Sequence, residues 1–159
     1  MSRNDEFTGG RQTTRRTAHI FDVDGTLADV SEIRHHVIGR NKNFNAFHEQ
    51  SVDVPPIPHV VQMAHDAKAA GHDVIVVTAR KAKYRPHTAM WLAQNNIPSD
   101  AMFMRANDDN RPDYEVKKDI YGKISKSWDV KHAVDDNPNV LRLWHEHNIP
   151  TTRVEGWQE

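Results

Sequence analysis

The chain has 159 residues, no cysteine, a formal net charge of −1 and a mean hydropathy of −0.78. That length suits one core, and the composition excludes disulfides, thiolate metal sites and a uniformly basic coat for nucleic acid. No apolar run approaches the ~18 residues of a membrane span and the N-terminus lacks a signal-peptide core, so a soluble, cytoplasmic protein with no membrane partner is expected.

Residues 1–17 carry Arg3, Arg11, Arg15 and Arg16 against Asp5 and Glu6, around Gly9-Gly10, and have almost no apolar content. A flexible basic arm is expected there, followed by a single domain over 18–159. Its first strand is led by His19-Ile20-Phe21 and broken at Gly25-Thr26. Residues 29–58 are irregular and end in Val54-Pro55-Pro56-Ile57-Pro58, which suggests a small cap insertion rather than a second domain.

Val60, Val61, Ala64 and Ala67 fall at helical spacing and stop at Gly71, and the β-branched run Asp73–Thr78 then reads as a buried strand. The same phrase recurs. Helices are expected at Pro86–Asn95, Asp113–Ile124 and Pro138–His147, each followed by a strand, at Ala101–Met104, Lys131–Val134 and Thr151–Val154. Five strands alternating with helices predict an α/β, Rossmann-like fold, a mainly parallel sheet with helices on both faces.

In such a sheet ligands sit beyond the carboxyl ends of the strands. Those ends carry Asp22 and Asp24, Thr78 and Arg80, and Asp135 and Asp136, with Lys117 near the start of the helix before the fourth strand. Asp22 and Asp24, one residue apart in a strand, face the same way. Four carboxylates at one edge repel, and a hard divalent cation is the cheapest way to hold them; oxygen ligands without thiolates favour Mg2+, and Mg2+ implies phosphate. Taken singly, Asp135-Asp136 before Asn137-Pro138 also suits a helix N-cap, and Lys118 competes with Lys117.

The segment Asp22-Val-Asp24-Gly25-Thr26, with Thr78, Lys117 and Asp135-Asp136 following in order, resembles the four motifs of the haloacid dehalogenase superfamily of phosphohydrolases. At ordinary residue usage a DxDGTL string arises by chance in roughly one chain of this length in ten thousand. The resemblance implies Asp22 as a nucleophile forming an aspartyl-phosphate, and Asp24 as general acid and base with a pKa above that of Asp22. It places the cation on Asp22, the Asp24 backbone carbonyl, Asp135 and Asp136, and assigns Thr78 and Lys117 to the phosphoryl oxygens. The segments FDVDGTLA, VVTAR, RPDYEVKKDIYGKI and VDDNPNVLRLWHEHNI are similar, more narrowly, to the 3'-phosphatase domain of bifunctional phage polynucleotide kinase. That likeness maps site-organising roles onto Arg80 and Asp113, and Arg34 is carried as the cap arginine. No GxxxxGK[ST] occurs, so phosphorylation by this chain is not expected, and a separate kinase or ligase is the partner to look for.

Arg80, Lys81, Lys83 and Arg85 form a positive run that either steers a phosphodiester backbone or is a solvated face. Tyr84, Phe44 and Phe47 can stack a base or fill a small cap core. The expected activity is removal of 3'-phosphate from DNA or RNA ends in nucleic-acid repair. The alternatives are hydrolysis of nucleotides or another small phosphomonoester, and a non-catalytic module that binds phosphorylated ends.

Overall fold

A computed structural model describes residues 15–157. Most of the expected basic arm, residues 1–14, lies outside the described residues. Strand β1 (Arg16–Phe21) begins earlier than the apolar trio led by His19. Its polar start is held by backbone pairing of Arg16 with Trp128 and by a two-pronged ion pair from Arg16 to Asp73 at 2.5 Å.

A cap follows, with a 3-10 turn at Arg34–His36, the short helix α1 (Phe44–Gln50) and a second 3-10 turn at Ser51–Asp53. Asn43 caps α1, its side-chain oxygen accepting from Ala46 N at 3.0 Å. The remaining elements are α2 (Pro58–Ala69), β2 (Asp73–Lys81), α3 (Arg85–Gln94), β3 (Ala101–Arg105), α4 (Asp113–Ile124), β4 (Trp128–Asp135), α5 (Pro138–Glu146) and β5 (Thr151–Arg153). Proline in the first turn starts α2, α3 and α5, where a missing N–H removes no helical bond.

The five strands are all parallel, in the order β3-β2-β1-β4-β5. Because the chain moves outward from β1 to β3 and then returns past β1 to β4, right-handed crossovers put α2 and α3 on one face and α4 and α5 on the other. The side chains agree. Phe21, Val74, Val76 and Val134 pack with Val60, Ala64, Trp91 and Leu92, whereas Ile20, Ile75, Val77 and Ala133 pack with Val116, Ile120, Leu143 and Trp144. A sheet covered on both faces explains why β2 is buried without interruption from Asp73 to Thr78. The reversal of direction at β1 and β4 opens a crevice at their carboxyl ends. Among the described residues no helix is long and apolar enough to cross a membrane.

Candidate active site

Phe21 of β1 pairs with Val134 of β4 and Val76 of β2, which sets Asp22, the first residue past β1, beside Asp135, the last of β4. Asp22 leaves β1 with its amide still donating to Val134 O at 3.1 Å. The turn that follows depends on Gly25, whose φ of +83° suits glycine. Its missing side chain also leaves room, since a Cβ there would clash with Asp136 Oδ2 and with an Arg34 nitrogen.

Lys117 reaches this point from α4 and is fully buried. Its ammonium donates to Asp22 Oδ1 at 2.9 Å and to Asp135 Oδ2 at 2.8 Å. The other Asp22 oxygen accepts from Thr26 Oγ1 at 3.0 Å, and Asp135 Oδ1 accepts from the amide of Asn137 at 3.0 Å. Arg34 donates to Asp136 Oδ2 at 3.2 Å. A second grip holds Asp24: Arg80 donates from Nε at 2.9 Å and from an Nη at 2.5 Å to its two oxygens, and from its remaining nitrogen to Thr88 Oγ1 at 3.0 Å.

These contacts split the two acids of the first motif. Burial and then the Asp135 charge push Asp22 well above the ordinary carboxylate range, against the opposing pull of Lys117. Burial would also raise Asp24, but the Arg80 guanidinium outweighs it and holds that carboxyl low. This order is the reverse of the one expected from the sequence. The reason is the two-pronged ion pair, which no sequence pattern announces. Burial and Asp135 lift Asp136 to about 6.

Asp22, Asp135 and Asp136 each offer an oxygen within 4.8 Å of the others. With all three ionised, these carboxylates exceed the two cations facing them, Lys117 and Arg34, by one negative charge in a buried place. An all-oxygen set with that excess fits a hard divalent cation.

A cleft of about 820 Å3 opens above the cluster. It is lined by Asp22, Asp24, Arg34, Thr78, Arg80, Lys81, Lys83, Asp113, Lys117, Asp135 and Asp136, so the structure brings together all but one of the side chains singled out in the sequence. The exception is Arg85. It turns outward and donates to Met102 O at 3.0 Å. Thr78 is buried, its hydroxyl accepting from the Arg80 amide at 3.2 Å, and Asp113 is paired with Arg105 at 2.8 Å. Of the cap aromatics, Phe47 is buried and Phe44 is 56% exposed, and both line the cleft. Tyr84 stacks on His48 with ring centroids 4.1 Å apart and donates to Asn45 Oδ1, tying the cap to the exit of β2.

The sequence reading missed Arg105, His48 and Trp157, which share the cleft wall. Arg105 donates to Ala79 O, Asp109 O and Arg111 O as well as to Asp113, fixing the loop before α4. Its position at the end of β3, an edge where ligands gather, was the available signal.

A family model described as the polynucleotide kinase PNKP phosphatase domain matches residues 16–156. A protein of Autographa californica nuclear polyhedrosis virus, provisionally named a bifunctional polynucleotide kinase/RNA ligase, is 28% identical over 142 residues, 84% of this chain and 18% of that protein. A provisionally named nucleotidase of Oceanobacillus iheyensis is 24% identical over 154 residues, 76% of this chain and 77% of its own length. Among solved structures, a chain of the Pnkp1/Rnl/Hen1 complex superposes with a TM-score of 0.80 at 26% identity, over 92% of this chain and 48% of that one. The class C acid phosphatase from Bacillus anthracis gives 0.69 at 12% identity, over 91% and 68%, a likeness of fold. The chain therefore spans about a fifth of the viral protein and about half of the chain from the complex.

Proposed function

The chain belongs to the family of the polynucleotide kinase PNKP phosphatase domain, within the haloacid dehalogenase superfamily, and from that premise we propose that it removes 3'-phosphate from nucleic-acid ends through an aspartyl-phosphate on Asp22. The observation that carries this reading is the contrast between Asp22, held by a buried ammonium beside two further carboxylates, and Asp24, held apart from it by a guanidinium.

In the first step a carboxylate oxygen of Asp22 forms a bond to phosphorus, the bond from phosphorus to the 3'-oxygen breaks, and Asp24 gives that oxygen a proton. In the second, Asp24 takes a proton from a water whose oxygen attacks the phosphoryl group, so phosphate leaves and Asp22 is restored. Arg80 favours the ionised Asp24 that the second step needs. Entry of the leaving oxygen has to loosen this pairing and let Asp24 take up a proton for the first. Lys117 and Thr78 stabilise the phosphoryl oxygens. Mg2+, held by Asp22, Asp135, Asp136 and the Asp24 backbone carbonyl, supplies further positive charge against those oxygens when bound.

Support for a polymer end comes from the cleft mouth, where Lys42, Lys81 and Lys83 stand on the cap and the β2 exit. Cations placed there suit the phosphodiesters that follow a terminal phosphate. Likeness to the Pnkp1/Rnl/Hen1 chain and to the viral protein extends the proposal to a kinase or ligase partner acting on the same ends. Resemblance to a nucleotidase over most of its length favours a second reading, hydrolysis of mononucleotides. Matched 3'-phosphorylated and 5'-phosphorylated oligonucleotides, offered beside mononucleotides with Mg2+, decide between them. Preferential release from the 3'-phosphorylated strand is expected, with a rate that falls as salt rises; preference for the mononucleotide would overturn the polymer claim.

A further inference from the structure

We propose that Trp157 is the binding platform for the nucleobase next to the reacting phosphate, an inference that rests on the reading of the substrate as a nucleic-acid end or nucleotide. Of the four tryptophans, Trp91 and Trp144 are buried, and Trp128 is half-buried with its indole N–H donating to Asp73. Trp157 alone lines the cleft, where it is only partly buried.

Its place relative to the acids is fixed by one intermediary. The Arg34 guanidinium carbon lies 5.7 Å from the centroid of the indole ring, and the same guanidinium donates to Asp136 at 3.2 Å. The ring thus stands one guanidinium away from the acid cluster, on the Asp136 side. Arg34 already has its carboxylate, so the indole is not needed to neutralise it. The part of the indole left uncovered among acids and lysines forgoes apolar burial, and a flat π-faced ligand restores it. In a nucleotide the base is separated from the 3'-oxygen by a single sugar ring. A phosphate seated at Asp22 therefore brings its base to the neighbourhood of Trp157, and stacking tolerates any of the bases.

The test compares a 3'-phosphorylated oligonucleotide with glycerol phosphate, which lacks a base, in Trp157→Ala, Trp157→Phe and, separately, Phe44→Ala. Trp157→Ala should raise KM for the oligonucleotide about 5- to 150-fold, as loss of one base–aromatic stack does. It should leave kcat/KM for glycerol phosphate within about twofold, a stack-sized loss being confined to the substrate with a base, and Trp157→Phe should recover most of the loss. Equal losses on both substrates would mean that the ring acts through Arg34, and no loss, or a loss only in Phe44→Ala, would put the base elsewhere; each result overturns the proposal. A binding readout separates this from the functional reading. Indole emission of the Asp22→Asn protein should be quenched by a 3'-phosphorylated oligonucleotide or 3'-mononucleotide, and the quench should vanish when Trp157→Phe is added. If the wild-type protein hydrolyses no oligonucleotide, the polymer reading fails, while quenching by the mononucleotide still decides the platform: present it stands, absent it falls.

Discussion

Arg80 grips Asp24 with two nitrogens, at 2.9 and 2.5 Å, while its third nitrogen is committed to Thr88. The guanidinium is buried and the carboxylate is about a quarter exposed. Arg80→Gln should let burial dominate at Asp24 and raise its pKa above the ordinary carboxylate value. The alkaline limb of kcat/KM, set by the protonated Asp24 that the first step needs, should then move to higher pH, and turnover should fall by about 10²–10⁴. Because the pair holds Asp24 low, its contribution to stability is present above the unfolded pKa and is lost as pH falls through the depressed one. An unchanged alkaline limb would remove Asp24 from its role.

Lys117 is the only ammonium that touches both Asp22 and Asp135 among the described residues. Burial works against its charge, but Asp135 and Asp22 more than compensate and hold it protonated. Lys117→Met should destabilise the fold by about 3–5 kcal/mol, the size expected when one partner of a buried ion pair is removed. Mg2+ should restore part of this and raise the unfolding temperature of the variant more than that of the wild type. Adding Asp136→Asn should cancel the gain. Thermal unfolding with Mg2+ and with chelator measures it, and indifference of every form to Mg2+ would mean that the acids hold no cation.

Gly25 lies beneath Arg34 and Asp136. Gly25→Ala should combine about 1–2 kcal/mol of left-handed backbone strain with displacement of the Asp136 carboxylate. Activity should collapse at low Mg2+ and return in part at high Mg2+. Full activity at limiting Mg2+ would show that Asp136 tolerates the shift.

At the other edge of the sheet, His19 stacks on His72 at 4.3 Å and meets His132 at 5.6 Å. Burial, then the neighbouring His72 and His132, push His19 down to about 4. The unfolded chain binds a proton there near pH 6.5 and the folded one does not. Stability is therefore full above about 6.5 and declines as pH falls toward about 4. The urea midpoint, followed over that window, should slope less in His19→Gln. An unaltered slope would place the titration elsewhere.

Apolar rhythm marked every strand and the helices from α2 onward, and α4 has the predicted bounds because Pro112 and the acids of its first turn announce its start. β1 to β4 ran longer than the expected runs, and β5 stopped one residue short of its own. Arg16 and Thr17 join β1 through backbone pairing with β4, and β2 continues to Lys81 through its pairing with Arg105. Backbone hydrogen bonds ignore side-chain polarity, so such extensions leave no hydrophobic trace. The acids and Arg80 were legible because their chemistry is unusual at strand ends, and Lys117, on a helix, through the order of the motifs. The ionisation order of Asp22 and Asp24 was not, since it depends on which cation reaches which oxygen. Trp157 follows no spacing rule and emerges only from the crossing of distant segments.

The claim on which the rest depends is that Asp22 accepts the phosphoryl group. The most direct measurement is borohydride reduction during turnover of a 3'-phosphorylated oligonucleotide, followed by peptide mass spectrometry. An acyl phosphate on Asp22 should be recovered as homoserine at position 22 and should be absent from Asp22→Asn. Reduction at Asp24, Asp135 or Asp136, or turnover with no reduced residue, would contradict the account.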